Sequence, residues 1–334
     1  VRQRLVRRDQ RRAPAAEFTL ENIPERDVGR CRRAVVFQAL AIGRIHDQRA
    51  RRCRRWALQR IGGLELDRMR DAGALAHYDD PAYYDLAYDA RKRDVAFYVG
   101  QAKRYGGPVL EYGVGNGRVA LAVARAGFEV VGVDLSASML GNLEQKLARK
   151  RTRVQTVLGD MRTVRLRRRF PLVIAPFNTV LHLYERPDIG AFLARVREHL
   201  APGGRFVFDF SVPVPADLAL DPNRSFSAPS FRHPTSGQKV RYRERFEYHS
   251  LRQLLVIWMD MTPVRGGEGA SVPLSHRQFF PREMEALLHY NGFSEIRFSA
   301  DFSEREPGPE TDSLVVSATV ARASRPVARP RSRA

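Results

Sequence analysis

Glu111-Tyr-Gly113-Val-Gly115-Asn-Gly117-Arg118 is the stretch from which the fold of this chain can be read. The residues before it, Pro108-Val-Leu-Glu-Tyr112, are bounded by Gly106-Gly107 and read as a short buried strand. The residues after it, 117–126, have a helical pattern. Between strand and helix the chain must turn sharply while leaving backbone N–H groups free to face a ligand, and glycine permits both. A dinucleotide fingerprint places its third glycine five residues after the first, where this chain has Arg118; Gly117 comes one position early. The spacing therefore disfavours a pyrophosphate site and a nicotinamide-dependent oxidoreductase.

Further signals extend from that loop in both directions. Residues 91–105 read as a helix, 129–134 as a strand and 137–150 as a helix. Strands follow at 153–158 and 170–177, then a helix at 188–200 and a strand at 205–210. Strands alternating with helices at this spacing predict crossover units on a parallel sheet, an α/β fold. The second strand ends in Asp134, whose carboxylate suits the two hydroxyls of a ribose and equally suits a helix N-cap before Ser136. The third ends in Gly159-Asp160-Met161, either a turn or a site where Asp160 bonds a base amine and Met161 packs on its ring. The fourth runs into Ala175-Pro-Phe-Asn178-Thr-Val-Leu-His182, and Leu200-Ala-Pro-Gly-Gly204 turns into the fifth. The Pro-rich residues 212–235 break the rhythm. Two strand-like runs, 239–249 and 251–261, follow; in the first, Val240, Tyr242, Phe246 and Tyr248 alternate with Arg241, Arg243, Arg245 and Glu247. A helix at 281–291 and strands at 293–300 and 313–320 complete the pattern.

In order and spacing these segments resemble the class I S-adenosylmethionine-dependent methyltransferases, over residues 78–320. The resemblance implies a doubly wound, mostly parallel sheet of seven strands whose last strand is antiparallel, here with an antiparallel β insertion after the fifth. It implies S-adenosylmethionine as cofactor. Glu111 with Gly113, Gly115, Asn116 and Gly117 would cradle its methionine part, Asp134 its ribose, and Asp160 and Met161 its adenine, with Leu135 and Phe177 also lining the site. Relatives often have Cys, Gly or Ala where this chain has Val114, a side chain expected near the sulfonium. Tyr83-Tyr84-Asp85 through Arg93 looks like the N-terminal lid of small-molecule N-methyltransferases, with Tyr84 and Arg93 closing over the cofactor and Arg91 as a competitor for the second role. The tyrosines Tyr78, Tyr83, Tyr84 and Tyr88 would otherwise only staple that helix to the sheet.

Composition excludes other chemistry. The chain carries 57 Lys and Arg against 37 Asp and Glu, a formal charge of +20. That charge is concentrated at the ends: residues 1–70 hold 19 Arg and 8 acids, and residues 321–334 hold 5 Arg and no acid. The middle is near-ordinary, so the expected domains are an Arg-rich leader (1–68), a core with its lid (69–211), the insertion (212–277), the end of the core (278–320) and a basic tail (321–334). The leader and tail are expected to be disordered. Arg outnumbers Lys 52 to 5, as GC-rich coding would give, and Met69 precedes the first core-like segment; we expect the native protein to start near it. Cys31 and Cys53 both lie in the leader, which leaves the core without a cysteine nucleophile, a zinc-thiolate site or a disulfide. No metal site is expected. No apolar run approaches the ~20 residues that span a bilayer, and a cytoplasmic protein is expected.

Methyl transfer requires alignment of the acceptor lone pair and exclusion of water; a base is needed only where the acceptor must lose a proton first. His182 is the candidate base and Asn178 an alternative group for orienting the acceptor. The chain lacks the Asp/Asn-Pro-Pro-aromatic run of amino-methylating nucleic-acid enzymes. A small-molecule N or O acceptor is therefore the first expectation, and an RNA-binding or RNA-methylating protein using the basic leader the second. The insertion is open to two readings, a cap over the acceptor or a contact between two copies of the chain.

Overall fold

In a computed structural model, residues 63–148 and 152–321 are described. The α/β fold lies within the unit that begins at Arg68. The expectations for the leader, its start and the basic tail fall outside the described residues, apart from their innermost positions.

Residues 68–75 are helical. Helices α1 (Pro81–Tyr88) and α2 (Arg93–Tyr105) lead to strand β1 (Val109–Tyr112). The chain then alternates through α3 (Ala120–Arg125), β2 (Val130–Asp134), α4 (Ala137–Ala148), β3 (Val154–Leu158), β4 (Phe170–Ala175), α5 (Arg186–His199) and β5 (Leu200–Ser211). A separate block comes next, β6 (Ser225–Arg232), β7 (Lys239–His249), β8 (Leu254–Pro263) and β9 (Ala270–Arg277). Helix α6 (Pro281–Tyr290) and strands β10 (Phe293–Ala300) and β11 (Ser313–Val320) close the fold.

The main sheet has seven strands in the order β10-β11-β5-β4-β1-β2-β3. Pairs β4–β1–β2–β3 and β4–β5 are parallel, and β11 runs antiparallel to both β5 and β10. All four residues of β1 are buried, because helices cover both faces of the sheet. One face packs Phe170, Phe206, Phe208 and Phe210 against Phe192 and Val196 of α5 and Met284 and Leu288 of α6. The other packs Leu172, Ile174 and Val207 against Tyr98 and Ala102 of α2 and Leu121 and Val123 of α3. The doubly wound α/β architecture is thus as the alternation of elements predicts.

The insertion is a four-stranded antiparallel sheet, β6-β7-β8-β9. Its two outer strands are not evident from the sequence pattern. Ser225–Arg232 lies in the Pro-rich stretch and contains Pro229, and Ala270–Arg277 contains Pro273; proline is tolerated there because both are edge strands. The strand expected at 251–261 is shifted to 254–263, since Gln253, at φ +46°, belongs to the turn between β7 and β8. Tyr83 of α1 is buried with Ile257, Met259, Met261 and Leu274, so α1 is held against this second sheet.

Gly132 in β2 supports the glycine loop from below. A Cβ at that position would lie 2.6 Å from Val114 Cγ2. The Val114 side chain therefore packs down onto the sheet, in the core with Val119 and Leu143, while the residue also borders the cavity described below. Gly132→Ala should destabilise the fold by about 2 kcal/mol through overpacking, seen as a lower midpoint in denaturant unfolding; an unchanged midpoint would show that the loop can move away.

Candidate active site

The C-terminal ends of β1 to β4 open into one cavity of about 400 Å³. Open parallel sheets bind ligands at this edge, because there the loops diverge and helix N-termini converge. The cavity is lined by Tyr78, Tyr84, Glu111, Gly113 to Asn116, Arg118, Asp134 to Ser136, Gly159 to Arg162, Phe177, His182 and Tyr184, among others.

The loop after β1 is tied to β2 by backbone and side chain. Gly113 and Val114 donate to the Val133 carbonyl (2.8 and 3.1 Å). The Asp134 carboxylate accepts from Gly115 N–H at 2.7 Å and from Ser136 N–H at 2.8 Å. Gly113, Gly115 and Gly117 all sit at positive φ, and a Cβ on Gly113 would meet Thr179 Oγ1 at 2.5 Å. The turn therefore needs glycine for its conformation as well as for clearance. Asp134 is the loop's anchor and a cavity wall, and the cap of the following helix is instead Ser136, whose Oγ accepts from Met139 N–H at 3.3 Å. Burial of Asp134 raises its pKa, against the opposing pull of the amides it accepts from.

Glu111 lies on the cavity floor, 2 % exposed, with one carboxylate oxygen lacking any partner. Burial drives its pKa well above the usual carboxylate range, and Arg118 only partly opposes this. A buried oxygen left without a donor is costly, and in a cavity it marks a place for a cationic or N–H-bearing ligand. An orphaned carboxylate on the floor, a glycine cradle and an acid at the end of β2 fit the ammonium, backbone and ribose of S-adenosylmethionine.

Arg118 closes the loop's far side. Its guanidinium is bidentate on Asp94 (3.0 and 2.6 Å) and stands 4.8 Å from the Phe177 ring centroid. Arg93 is exposed at the start of α2 and lines no part of the cavity, while Arg91 stacks over Phe177 from outside at 5.1 Å. The arginine beside the loop is thus Arg118, which belongs to the glycine stretch itself yet carries no spacing signal that would mark it. Asn116 is 1 % exposed and acts on the lid: its Nδ2 donates to Asp85 Oδ1 at 2.8 Å, where Lys146 also binds. Gly117 lies outside the lining, against Leu121 and Leu143.

At the other end, Leu135 is 55 % exposed at the rim, and Met161 packs on the edge of the core. Asp160 is held by its neighbour, accepting from Arg162 Nε and backbone N–H at 2.8–3.0 Å, and that interaction lowers its pKa. Asn178, the alternative group for orienting an acceptor, does not line the cavity. At φ +63° its side chain folds back and accepts from Ser211 N–H at 2.8 Å. Phe177 and Asn178 are consecutive left-handed residues, and they persist because both are anchored to β5. Phe177 N–H is taken by Asp209 at 2.7 Å, which also accepts from Tyr98 Oη at 2.6 Å.

Asp209 is a second residue that no sequence pattern singles out. It is 3 % exposed, and burial pushes its pKa up to about 6. A carboxyl whose folded pKa lies above its unfolded value stabilises the fold at low pH, and that contribution falls away as pH rises from about 4 to about 6. Asp209→Asn has no such titration. Its melting temperature relative to the parent protein should therefore climb by several degrees across that window; parallel melting curves at pH 4.5 and 7.5 would contradict the assignment.

The aromatic lid divides. Tyr83 turns away from the cavity to stack on Phe231 and His233 of the insertion (5.8 and 5.5 Å). Tyr84 and Tyr78 turn inward, with Tyr84 against Tyr88 and Phe177. His182 lies in the wall with Nε2 2.7 Å from Tyr78 Oη and Nδ1 3.2 Å from Tyr184 Oη. Burial lowers its pKa to about 4, so it is neutral near pH 7. No residue of 212–277 lines the cavity; the insertion stands behind the wall, with Ser275 on Tyr184 and His276 beside His182. Among the described residues no cluster of His, Cys, Asp and Glu could hold a metal ion, and no helix is long and apolar enough to cross a membrane.

Residues 109–204 match the family model described as a methyltransferase domain. The cypemycin N-terminal methyltransferase of a Streptomyces species is 35 % identical over 124 residues, 37 % of this chain and 50 % of that protein. The dTDP-3-amino-3,4,6-trideoxy-alpha-D-glucopyranose N,N-dimethyltransferase of Streptomyces venezuelae is 32 % identical over 139 residues, 39 % of this chain and 56 % of that protein. The chain thus spans about half the length of these curated relatives. The solved structure of the CcbJ methyltransferase from Streptomyces caelestis superposes with a TM-score of 0.62 at 27 % identity, covering 73 % of this chain and all of that one. Strand order, the glycine loop anchored on Asp134 and these likenesses agree in supporting a class I S-adenosylmethionine-dependent methyltransferase, whose methyltransferase domain matches residues 109–204.

Proposed function

We propose that this protein transfers a methyl group from S-adenosylmethionine to a nitrogen atom of a small molecule. Bound in this cavity, the cofactor would supply a methyl carbon already activated on a sulfonium. Glu111 would receive the ammonium, Arg118 would lie on the side of the carboxylate, Asp134 would take the ribose hydroxyls, and Asp160, Met161 and Leu135 would border the adenine. Phe177 and Tyr84 shield the reacting centre from water, and Asn116 holds the lid down through Asp85.

The choice of nitrogen is carried by His182. A hydroxyl acceptor needs a base, and an imidazole with both nitrogens engaged and a pKa of about 4 is a poor one. An amine entering as the free base already has its lone pair and needs no proton removed before attack. The proton displaced afterwards leaves to solvent. Two relatives named for N-methylation support the same choice. The RNA alternative gains nothing from the cavity.

The test is turnover of S-adenosylmethionine to S-adenosylhomocysteine with matched panels of primary amines and alcohols. Methylation of amines with a rate that rises toward the acceptor's own pKa is expected. Methylation confined to alcohols would overturn the choice of nitrogen, and failure of S-adenosylhomocysteine to bind in calorimetry would overturn the activity itself.

A further inference from the structure

The contacts around His182 form a chain of hydrogen bonds whose direction can be worked out from its last member. Ser275 Oγ donates its one proton to the Arg70 carbonyl at 2.8 Å, an oxygen that can only accept. Ser275 Oγ must therefore accept from Tyr184 Oη, 2.6 Å away, and the Ser275 carbonyl at 3.2 Å is a second acceptor for the same phenol proton. With its proton committed to Ser275, Tyr184 Oη can only accept from His182 Nδ1, at 3.2 Å. A neutral imidazole protonated on Nδ1 has a bare Nε2, and Tyr78 Oη donates to it at 2.7 Å.

We propose that Ser275 and Tyr184 are positioning residues that hold His182 as the Nδ1–H tautomer, and that this turns the Tyr78 proton away from the cavity and its phenol lone pairs toward the acceptor. The relay is Tyr78 O–H to His182 Nε2, His182 Nδ1–H to Tyr184, Tyr184 O–H to Ser275, Ser275 O–H to the Arg70 carbonyl. It assigns the insertion sheet a part in the active site although no residue of that sheet lines the cavity: Ser275 in β9 sets the polarity of a phenol reached only through two intervening side chains. At the cavity end, Tyr78 offers an uncharged hydrogen-bond acceptor to an N–H of the incoming group, leaving the nitrogen lone pair to point at the methyl carbon. That last role rests on the methyltransferase reading, whereas the tautomer does not.

The test is imidazole-nitrogen NMR of the full chain labelled in histidine, near neutral pH and without added ligand, with the His182 signals assigned by their loss in His182→Asn. The parent protein should show a protonated Nδ1 and an unprotonated Nε2. Tyr184→Phe removes the Nδ1 acceptor and should bring in the Nε2–H form; Ser275→Ala should do so more weakly, since the Ser275 backbone carbonyl still accepts from Tyr184. Tyr78→Phe should leave Nδ1 protonated and move only the Nε2 signal. A dominant Nε2–H form in the parent protein, or a tautomer unmoved by Tyr184→Phe in a folded variant, would overturn the relay. S-adenosylhomocysteine calorimetry on the same samples tests the methyltransferase reading separately, because loss of binding there would leave the tautomer result intact.

Discussion

Asp134→Ala should lower affinity for S-adenosylhomocysteine at least about 100-fold while leaving the protein folded. The carboxylate makes two charge-assisted bonds to loop amides, Gly115 N–H and Ser136 N–H, each of about 1.5–3 kcal/mol by general measure. Those bonds set the shape of the cradle, and in the proposed binding mode the same oxygens would take the ribose hydroxyls. Removing the side chain therefore costs the ligand two hydroxyl contacts and a pre-formed loop together. The fold loses less, because the carboxylate is held at a cost in burial that its removal relieves. Asp134→Asn keeps one acceptor oxygen and should fall between, at about tenfold. Titration calorimetry gives both numbers, with thermal unfolding as the control; an affinity for Asp134→Ala within a few-fold of the parent would remove Asp134 from the ribose role.

Glu111→Gln should move stability and binding in opposite directions. Burial raises the Glu111 pKa, so the folded state holds its proton more tightly than the unfolded one and loses stability as pH climbs past the unfolded value toward neutrality. Glutamine does not titrate and fills nearly the same volume. The ligand-free variant should therefore melt a few degrees higher near neutral pH, with little difference in acid. Binding should weaken about 10- to 100-fold, since the ammonium loses its counter-charge. Pairing with the ammonium should favour the ionised form of Glu111, so affinity for the parent protein should increase with pH across the range where that carboxyl titrates, and the variant should lose that dependence. A variant that melts lower and binds equally would show that Glu111 is a structural acid.

The parts legible in the sequence are those carried by neighbouring residues. A strand, a glycine turn and a helix are consecutive events at 108–126, so the loop, its Glu111 and the strand-end Asp134 can be placed from spacing alone. The alternation of elements has the same local origin, and with it the parallel sheet. The edge strands β6 and β9 escape notice because their prolines contradict strand propensity at every position except a sheet edge, and an edge is defined by the neighbour it lacks.

By itself, then, the sequence determined the family fold, the cofactor cradle and the order of its parts, because glycine conformations, strand periodicity and short loop spacings are properties of contiguous residues. Only the tertiary structure decided which side chains meet: Arg118 in place of Arg93, Asn178 turned back to Ser211, Asp209 behind Phe177, and the chain from Tyr78 through His182 and Tyr184 to Ser275. Tyr78 and His182 are 104 residues apart, and Tyr184 and Ser275 are 91 apart. Contacts over such distances depend on how the lid and the insertion seat on the sheet, and no local pattern of residue types encodes that seating.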